Sequence, residues 1–565
     1  GTRKPAKLIA TDHSRMLALL KIEVDQPLPV PEMAPQAEIR VGQWAVAVGR
    51  TFAGNRPNVA LGIVSATNRV WGKAIQTDAA VSPNNYGGPL VDVGGRVLGV
   101  LVPLSPHHAN QIAGVQWYDS GIGFAVPAEH VQKILPQLQQ GEDLHPGVIG
   151  ISLRAANLSI AEPVIAARHP NSPARQAGLK PGDRIAEIDG RKIVRASQIK
   201  EELSRRYSGD AIRLVVLRGE ERIDREIELV AKLEPYRRPF LGILPLRMPP
   251  PGDEQAAEVI VRYVYPQGPA AGAGVKPGDV LVALDGESIE GADDLRARIG
   301  DRQPEEEVEL QIRRGEETVR LKLRLAAEPE PLPPDALPPA RPPGQVQGNA
   351  PAEPVEDEGP QTGSIQLKIP EFENDAWAYV PEGYDPAVPC GLVVWLQAPG
   401  KFDWQRALSR WKPHCDAAGL ILLAPEPADP KGWHVREATL VRKLIDQLKS
   451  THTIDPSRLV LHGHRAGGRL AYVVAFSGRG AARAVAAVDA PLAARPPQND
   501  PLYPLAFYLA WAKESRDAER IDAGVTRLRQ QGYPATLRDL GQQPRYLDPD
   551  ELSELVRWID MLDRI

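Results

Sequence analysis

The sequence predicts a multidomain protein in which a small α+β domain occurs twice and a doubly wound α/β sheet follows. The repeat is visible directly, since "SPARQAGLKPGDRIAEIDGRKI" from Ser172 returns as "GPAAGAGVKPGDVLVALDGESI" from Gly268. A segment dominated by Pro, Glu and Ala, Glu328–Pro360, then predicts an extended linker, because it has no hydrophobic period with which to build a core. Beyond it, strand-like and helix-like segments alternate over residues 361–565, the order that a parallel sheet requires.

Composition and charge exclude several classes of partner. Lys and Arg number 67 against 72 Asp and Glu, a net charge of -5, so no basic field indicates nucleic acid or an acidic membrane surface. The longest apolar stretches, such as Leu392–Leu396, are far shorter than the ~20 residues that span a bilayer. The two cysteines, Cys390 and Cys415, are too few for a disulfide framework and predict a buried apolar pair. No cofactor and no metal are expected.

Each repeat predicts a short helix that ends at a glycine, a Pro-Gly-Asp turn, an apolar strand, and an Asp-Gly turn into the next strand. The aspartates of the two KPGD turns, Asp183 and Asp279, lie one period of 96 residues apart. This order resembles the circularly permuted PDZ domains of bacterial proteases. The resemblance implies two such domains, at residues 146–233 and 238–327, each a partly open α+β barrel.

An apolar–glycine–apolar element lies upstream of the helix in each repeat, at the position of the PDZ carboxylate-binding loop. Glycine there lets backbone N–H groups converge on a peptide carboxylate while the peptide adds a strand to the sheet. The resemblance therefore implies peptides or the C-termini of unfolded proteins as partners. An alternative is that the glycines only relieve crowding at a strand start, and the sequence does not show that either groove is open. The predicted peptide-binding residues are Ile149, Gly150, Ile151, Leu241, Gly242 and Ile243.

Upstream of the repeats, the segments "ATDHSRMLALLKIE", "AIQTDAAVSPNNYGGPLVDVGGRVLGVLV" and "GIGFAVPAEHVQKIL" follow one another over residues 1–138. They resemble HtrA/Deg-type proteases, in which a trypsin-like β-barrel domain precedes one or two PDZ domains. The resemblance implies export to the periplasm or cell envelope and a homo-oligomer. The matching residues do not include the earlier part of the first barrel, where the family carries its catalytic histidine. Because the chain opens on Gly1 without an apolar signal segment, we interpret it as a processed or partial chain.

The residues that this family uses for catalysis are replaced. A serine protease needs a hydroxyl to attack, an imidazole to take its proton and a carboxylate to orient the imidazole. The family motif GNSGG corresponds to Asn84-Asn85-Tyr86-Gly87-Gly88, with Tyr86 at the serine position, and Met16 stands where the family has the triad aspartate. A phenol of pKa ~10 is a poor nucleophile near neutral pH. Ser82 lies nearby but lacks the flanking glycines, so we reject it as a substitute.

Residues 361–565 resemble α/β-hydrolases of the esterase and polyester-depolymerase kind. Those enzymes carry a serine in G-x-S-x-G on a tight strand-to-helix turn. Here Gly463-His464-Arg465-Ala466-Gly467 keeps both glycines but holds Arg465 at the apex, and no histidine follows Arg465 to serve as a base. His462 and His464 flank the elbow, and without a third ligand they predict hydrogen-bonded histidines rather than a metal site.

An arginine at the start of a helix predicts either an anion-binding site or a salt-bridged plug, because a guanidinium needs a partner inside a closed cleft. The resemblance makes Asp517 the candidate internal partner of Arg465. It also places Arg545 near the position of the missing histidine, so that two cations would favour an external anion such as phosphate. The alternative is an Arg465 side chain that simply reaches bulk water.

The sequence thus predicts a non-catalytic HtrA/Deg-like scaffold that binds peptides or proteins through its PDZ domains. One alternative is an HtrA/Deg-class serine endopeptidase of protein quality control, whose site is completed by a missing segment or a partner. Another is a C-terminal domain that binds an anionic small molecule. In both protease-like and hydrolase-like parts the glycines of the motif persist while the reacting groups do not, which favours the scaffold.

Overall fold

The computed structural model describes residues 4–50, 57–104, 118, 120–153, 157–247, 258–333, 337–340, 360–478 and 480–565. The chain divides into two compact units, Gly1–Glu234 and Pro235–Ile565. Among the described helices, none combines the length and the apolar character needed to cross a membrane.

The first unit begins with a hairpin and a closed β-barrel. The hairpin is β1 (Ala6–Asp12) and β2 (Leu17–Ile22), and the barrel strands are β3 (Trp44–Arg50), β4 (Pro57–Asn68), β5 (Ala74–Thr77), β6 (Pro89–Val91), β7 (Val97–Val102) and β8 (Gly123–Pro127). Around the barrel the order is β3-β4-β5-β8-β7-β6. A short turn, α1 (Arg69–Gly72), joins β4 to β5, and α2 (Ala128–Gln139) follows the barrel. Ala45, Ala47 and Leu90 are fully buried inside it, as alternation of side chains along a strand requires.

The first repeat completes this unit. Its elements are β9 (Ile151–Leu153), β10 (Ile165–Arg168), α3 (Pro173–Gln176), β11 (Arg184–Ile188), β12 (Arg191–Lys192), α4 (Ala196–Ser204), β13 (Ala211–Arg218) and β14 (Glu221–Glu228). The main sheet has the order β12-β11-β13-β14, and β9 pairs with β10 beside it. The strands and α4 enclose one apolar cluster that includes Ile185, Ile199 and Val216.

The second repeat opens the second unit and has the same plan. Its elements are β15 (Pro239–Phe240), β16 (Ile243–Pro245), β17 (Val259–Val264), α5 (Pro269–Gly272), β18 (Val280–Leu284), β19 (Glu287–Ser288), α6 (Ala292–Gly300), β20 (Glu307–Arg314), β21 (Glu317–Arg324) and β22 (Ala326–Ala327). The sheet runs β16-β17-β18-β20-β21, with β19 paired to β18 and β15 to β22.

The KPGD aspartate has the same structural role in both repeats. The Asp183 carboxylate accepts the Lys180 N–H at 2.8 Å and two N–H groups of Arg218, each at 2.8 Å. Asp279 is held in the same way by Arg314, at 2.8 and 2.7 Å. Both carboxylates are nearly fully buried, so this bidentate pair fixes the turn at the start of the following strand.

The rest of the second unit is an eight-stranded α/β sheet. Its strands are β23 (Gly363–Lys368), β24 (Asp375–Val380), β25 (Cys390–Leu396), β26 (Leu420–Pro425), β27 (Ile454–His464), β28 (Ala484–Val488), β29 (Ala506–Trp511) and β30 (Ala535–Asp539). The order is β23-β24-β26-β25-β27-β28-β29-β30. The pairs from β26 to β30 are parallel, whereas the β23–β24 and β24–β26 pairs are antiparallel.

Helices cover both faces of this sheet, which confirms the doubly wound arrangement. They are α7 (Trp404–Ala418), α8 (Glu437–Thr451), α9 (Ala466–Ser477), α10 (Ala518–Gln530) and α11 (Pro549–Asp560). On one face α8, α9 and α10 pack on the sheet, and on the other face α7 and α11 do. The thiols of Cys390 and Cys415 are free and buried, as the composition predicts.

The start of the predicted extended linker is packed against the fold. Glu328 is 9% exposed and pairs with three arginines of this unit. Glu330 binds Arg529 through its carboxylate and Thr536 through its backbone oxygen, at 3.0 and 2.6 Å. The composition failed to show this because the docking contacts of the segment come from residues far away in the chain. Residues 341–359 of the linker lie outside the described residues.

Candidate functional site

The residues around the predicted nucleophile position form a tight turn between β5 and β6. Pro83–Asn85 is a single 3-10 turn, and the buried Asn85 side chain accepts the Ser82 N–H at 3.1 Å. The Ser82 hydroxyl is also directed to the Asn85 side chain, at 3.3 Å. A Cβ atom on Gly88 would lie 2.1 Å from the Val48 carbonyl oxygen. This glycine is therefore required by close backbone packing, whatever residue occupies the nucleophile position.

The side chains at the two predicted triad positions pack against apolar clusters. Tyr86 is partly buried and packs against the barrel core. Met16, in the β1–β2 turn with φ +57°, packs against the cluster that includes Val70 and Phe124. The described part of the barrel thus holds neither a serine hydroxyl nor a carboxylate at these two positions.

A buried polar cluster, which the sequence did not predict, joins the β1–β2 hairpin to the first repeat. The Tyr207 hydroxyl donates to the Asp12 carboxylate at 2.7 Å, accepts from His130 Nε2 at 2.9 Å and binds the Arg15 guanidinium. Burial, reinforced by Arg15, lowers the pKa of His130 to about 3, so its ring is neutral. Burial also raises the pKa of Tyr207, which excludes it as a nucleophile. No local motif marks this cluster, because its members are up to 195 residues apart.

Lys73 lies beside this cluster. Its ammonium donates to the Ser14 carbonyl oxygen at 3.2 Å. Burial, together with the nearby charge of Arg15, lowers the pKa of Lys73 to about 8. The arrangement is that of a buried structural cation, since the group it contacts is a backbone oxygen.

The predicted carboxylate-binding loops of the two repeats have the same backbone bonds. In the first, the carbonyl oxygens of Ile149 and Gly150 accept from Ala174 and His169, at 3.1 and 2.8 Å. In the second, those of Leu241 and Gly242 accept from Ala270 and Tyr265, both at 2.9 Å. Gly150 and Gly242 have φ of +82° and +99°, a region that glycine adopts without strain. Ile151 and Ile243 begin the strands that follow, β9 and β16.

The two loops differ in what lies beside them. In the second repeat, the N–H groups of Gly242 and Ile243 both donate to the backbone oxygen of Ile565, at 2.9 and 3.3 Å. The Ile565 N–H donates back to the Ile243 oxygen at 3.1 Å. In the first repeat, the Gly150 N–H donates to no neighbour among the described residues.

The elbow of the α/β domain keeps its backbone geometry. Arg465 has φ +52° and ψ −113°, a strained conformation for a residue with a side chain, between β27 and α9. A Cβ on Gly467 would lie 1.9 Å from the Leu396 oxygen, and one on Gly463 would lie 2.4 Å from the Gly467 carbonyl carbon. The turn lies beyond the carboxyl ends of β25 and β27, at a switch point of the sheet, where α/β folds place their ligands.

The guanidinium of Arg465 has a different partner from the one that we expected. Its Nε lies 3.2 Å from the Asp489 carboxylate, at the end of β28, and the side chain is 51% exposed. Asp517 pairs instead with Arg520, at 2.6 Å. The expected Asp517 pair is therefore wrong, since Asp517 lies just before α10, where an arginine one turn along the chain is nearer.

The second predicted cation, Arg545, is also paired inside the domain. It binds both oxygens of the buried Glu551, at 2.6 and 2.9 Å, and lies 3.4 Å from Asp548. Both acidic residues belong to the capping box of α11. An external anion site at Arg465 and Arg545 stays a prediction.

Of the two histidines beside the elbow, His462 is buried and His464 is half-buried, and both are neutral near pH 7. His462 Nδ1 donates to the Ala486 oxygen at 2.9 Å, and its Nε2 lies 2.8 Å from the Tyr546 hydroxyl. Burial lowers the pKa of His462 to about 3 and that of His464 to about 4. Among the described residues, no group of three or more His, Cys, Asp and Glu side chains is placed to hold a metal ion.

Comparison with known protein families identifies domains within residues 1–325. A model of the trypsin-like peptidase domain matches residues 1–100, and a PDZ domain model matches residues 147–229 and 239–325. This part of the chain is of the HtrA/DegP type. Its trypsin-like domain and two PDZ domains confirm the fold class predicted for it.

Several relatives of this type are named as proteases. The chain is 28% identical over 355 residues to a protein named "Probable periplasmic serine endoprotease DegP-like" of Halomonas elongata, covering 58% of this chain and 72% of that one. It is 29% identical over 342 residues to periplasmic serine endoprotease DegP of Escherichia coli K12, covering 57% and 69%. A solved structure, "HtrA-type protease AlgW with decapeptide", is 28% identical and covers 42% of this chain and 74% of its own, with a TM-score of 0.35.

Proposed function

We propose that this HtrA/DegP-type chain binds peptides and unfolded proteins through its PDZ domains, and that its trypsin-like domain has no serine nucleophile of its own. The observation that carries the proposal is Tyr86, which takes the nucleophile position and packs against the barrel core. Met16, packed in the same apolar manner at the second triad position, supports it. Loss of triad members removes several orders of magnitude in rate.

The first PDZ domain supplies the binding site in this proposal. The Gly150 loop has the backbone bonds of a carboxylate-binding loop, and its glycine N–H has no partner among the described residues. A peptide with a free, apolar C-terminus would add a strand beside β9 and bind with a Kd of ~1–100 μM, since an added strand must be ordered as it binds. Amidation of that C-terminus should weaken binding.

A second candidate function is that of an HtrA/DegP-class serine endopeptidase whose site is completed by groups from outside these residues. The names of the curated relatives favour it. In that case a hydroxyl other than that of Tyr86 must be activated by a base and oriented by a carboxylate.

A fluorophosphonate probe separates the two functions, because it labels any activated serine whatever the substrate. We expect no labelling of the chain and no cleavage of casein. Covalent labelling that a serine-directed inhibitor blocks, and that persists in Tyr86→Phe, would establish the endopeptidase. A DegP-type protease with an intact GNSGG motif provides the positive control.

We also propose a periplasmic or cell-envelope location and a homo-oligomeric state. The names of the relatives support the location. Fractionation with a periplasmic marker, and light scattering of the purified chain, test the two statements separately.

A further inference from the structure

The groove of the second PDZ domain contains a segment of the same chain. Three backbone bonds join Ile565 to the Leu241–Ile243 loop, and the residues before it, Met561–Asp563, form a turn that follows α11. Two N–H groups of the loop converge on one oxygen of Ile565, which is the contact expected of a PDZ ligand.

The side chain of Ile565 fills the apolar part of that groove. It is 2% exposed and belongs to the core cluster of the second PDZ domain, together with Ile243 of β16 and Leu295 and Ile299 of α6. A branched aliphatic side chain between the loop strand and this helix completes a core that neither element covers alone.

Acidic residues just before Ile565 are paired with arginines of the PDZ domain. Arg247, next to β16, binds Asp563 at 2.9 Å and Asp560 at 2.5 Å. Arg262 of β17 binds Asp560 at 3.0 Å. Burial opposes ionisation of Asp560, but Arg247 and Arg262 outweigh it and lower its pKa. On the other side of the groove, Arg296 of α6 donates to the Asp563 carbonyl oxygen at 3.2 Å.

Arg564, which lies between Asp563 and Ile565, is held by a buried network of charged side chains. Arg564 is 1% exposed and its Nε donates to Glu328 at 2.8 Å. Arg238, at the start of the PDZ domain, donates to the Arg564 carbonyl oxygen at 2.9 Å and pairs with Glu328 at 3.3 Å. Arginines of the PDZ domain on both sides of the segment Asp560–Ile565 thus bind it. An incidental surface contact would not need such buried ion pairs.

The first PDZ domain provides an internal comparison. One period of 96 residues upstream of Arg296, α4 carries Lys200, whose ammonium lies 4.2 Å from the centre of the Trp71 ring. No described segment donates to or accepts from its loop as Ile565 does in the second domain. Among the described residues, the groove of the second PDZ domain is therefore occupied in this way and that of the first is not.

We propose that the second PDZ groove is an intramolecular binding site for Asp560–Ile565. The ligand class it recognises is a segment that places a branched aliphatic residue at the loop and, from the turn before it, a carboxylate two residues earlier that faces Arg247. The groove thereby ties the second PDZ domain to the α/β domain, and external peptides bind the first groove unless this segment is displaced. The inference rests on the PDZ assignment and not on the loss of proteolysis.

Hydrogen exchange of the full chain, followed by mass spectrometry on peptic peptides that span 240–246, tests the occupancy directly. In the parent chain these amides should exchange slowly. Ile565→Asp and Asp563→Lys should accelerate them by roughly tenfold or more, since the partners of the Gly242 and Ile243 N–H groups leave. Arg324→Glu, an exposed charge reversal in the same domain, should change nothing.

Adding the peptide DMLDRI distinguishes an opened groove from an unfolded domain. At millimolar concentration it should restore slow exchange in both variants by binding the vacant groove. The proposal is overturned if exchange over 240–246 is already fast in the parent, or if it is unchanged in both Ile565→Asp and Asp563→Lys. Failure of the peptide to restore protection in both variants would also overturn it. None of these results depends on whether the chain cleaves protein.

Discussion

At the scale of single residues, glycines near Tyr86 and Arg465 lie where the backbone leaves no room for a Cβ atom. Gly88 faces the Val48 carbonyl oxygen at a distance that no Cβ could occupy, and the Tyr86 side chain packs against the barrel core. The close approach that Gly88 permits does not depend on which side chain occupies position 86. Glycines alone in such a motif therefore do not establish a catalytic activity.

Restoring the serine should not restore proteolysis. In Tyr86→Ser the new hydroxyl would have no carboxylate at Met16 to orient a base, and an unassisted serine is not activated at neutral pH. We expect fluorescent casein to remain intact with Tyr86→Ser, as with the parent and with Tyr86→Phe. Casein cleavage by Tyr86→Ser alone would show that a base and a carboxylate are already in place.

His462 should make the α/β domain less stable in acid. Its pKa in the folded chain is about 3, below the ordinary value, so between about 6.5 and 3 the unfolded state binds the extra proton. The free energy of unfolding should therefore fall as the pH falls from about 6.5, by at most about 1.4 kcal/mol per pH unit for one proton. His464 adds to the fall above about pH 4.

Urea unfolding between pH 7 and 4 measures this dependence, and His462→Gln should flatten it. The glutamine keeps a donor for Ala486 and loses the titrating ring. An equal slope in His462→Gln would assign the dependence to other groups.

At the scale of elements, the packing of α9 on the sheet depends on the absence of side chains at the elbow. Gly467 lies against the Leu396 oxygen at the end of β25, and Gly463 against the first turn of α9. These contacts hold Arg465 in its strained conformation. The elbow is thus retained as a packing device for the strand-helix junction.

Gly467→Ala should destabilise the α/β domain by about 3 kcal/mol, because the new methyl group must displace the backbone of β25. Gly383→Ala is the matched control in the same domain, since open space surrounds that glycine. Thermal unfolding of the two variants checks the difference. Equal melting temperatures would mean that α9 can shift away from the sheet at little cost.

In the two PDZ repeats, bidentate Asp–Arg ion pairs hold the KPGD turn against the sheet. Asp279→Asn should remove the charged partner of Arg314 and destabilise the second PDZ domain by about 2 kcal/mol. Asp293→Asn, which changes an exposed carboxylate on α6, is the control. Chemical denaturation that gave the same free energy for both variants would contradict a structural role for the KPGD turn.

At the scale of the whole molecule, each compact unit is joined internally by contacts that bridge separate domains. In the first, Tyr207 of the PDZ repeat binds Asp12 of the N-terminal hairpin. In the second, Arg564 binds Glu328, and its carbonyl accepts from Arg238 across 326 residues. Buried charges at such junctions make the relative position of the joined elements specific, because few other arrangements satisfy all of them.

Tyr207→Phe tests the junction in the first unit. The change leaves Asp12 without a donor and removes an acceptor from Arg15 and His130, so we expect a loss of about 2 kcal/mol. Calorimetry of the full chain should show an earlier transition, while Tyr118→Phe should not. An unchanged transition in Tyr207→Phe would mean that water replaces the hydroxyl.

The sequence by itself determined the parts of this protein that depend on neighbouring residues. The repeated KPGD turns and the alternation of strands and helices after residue 360 are both local, and each element type follows from short-range periodicity or turn chemistry. Tertiary structure alone decided that Arg465 pairs with Asp489, that Glu328 is buried, and that Ile565 lies in the second groove. The physical reason is that a partner distant in the chain is selected by the three-dimensional path of the backbone and by the cost of leaving a buried charge or a groove unfilled, and no short segment carries that information.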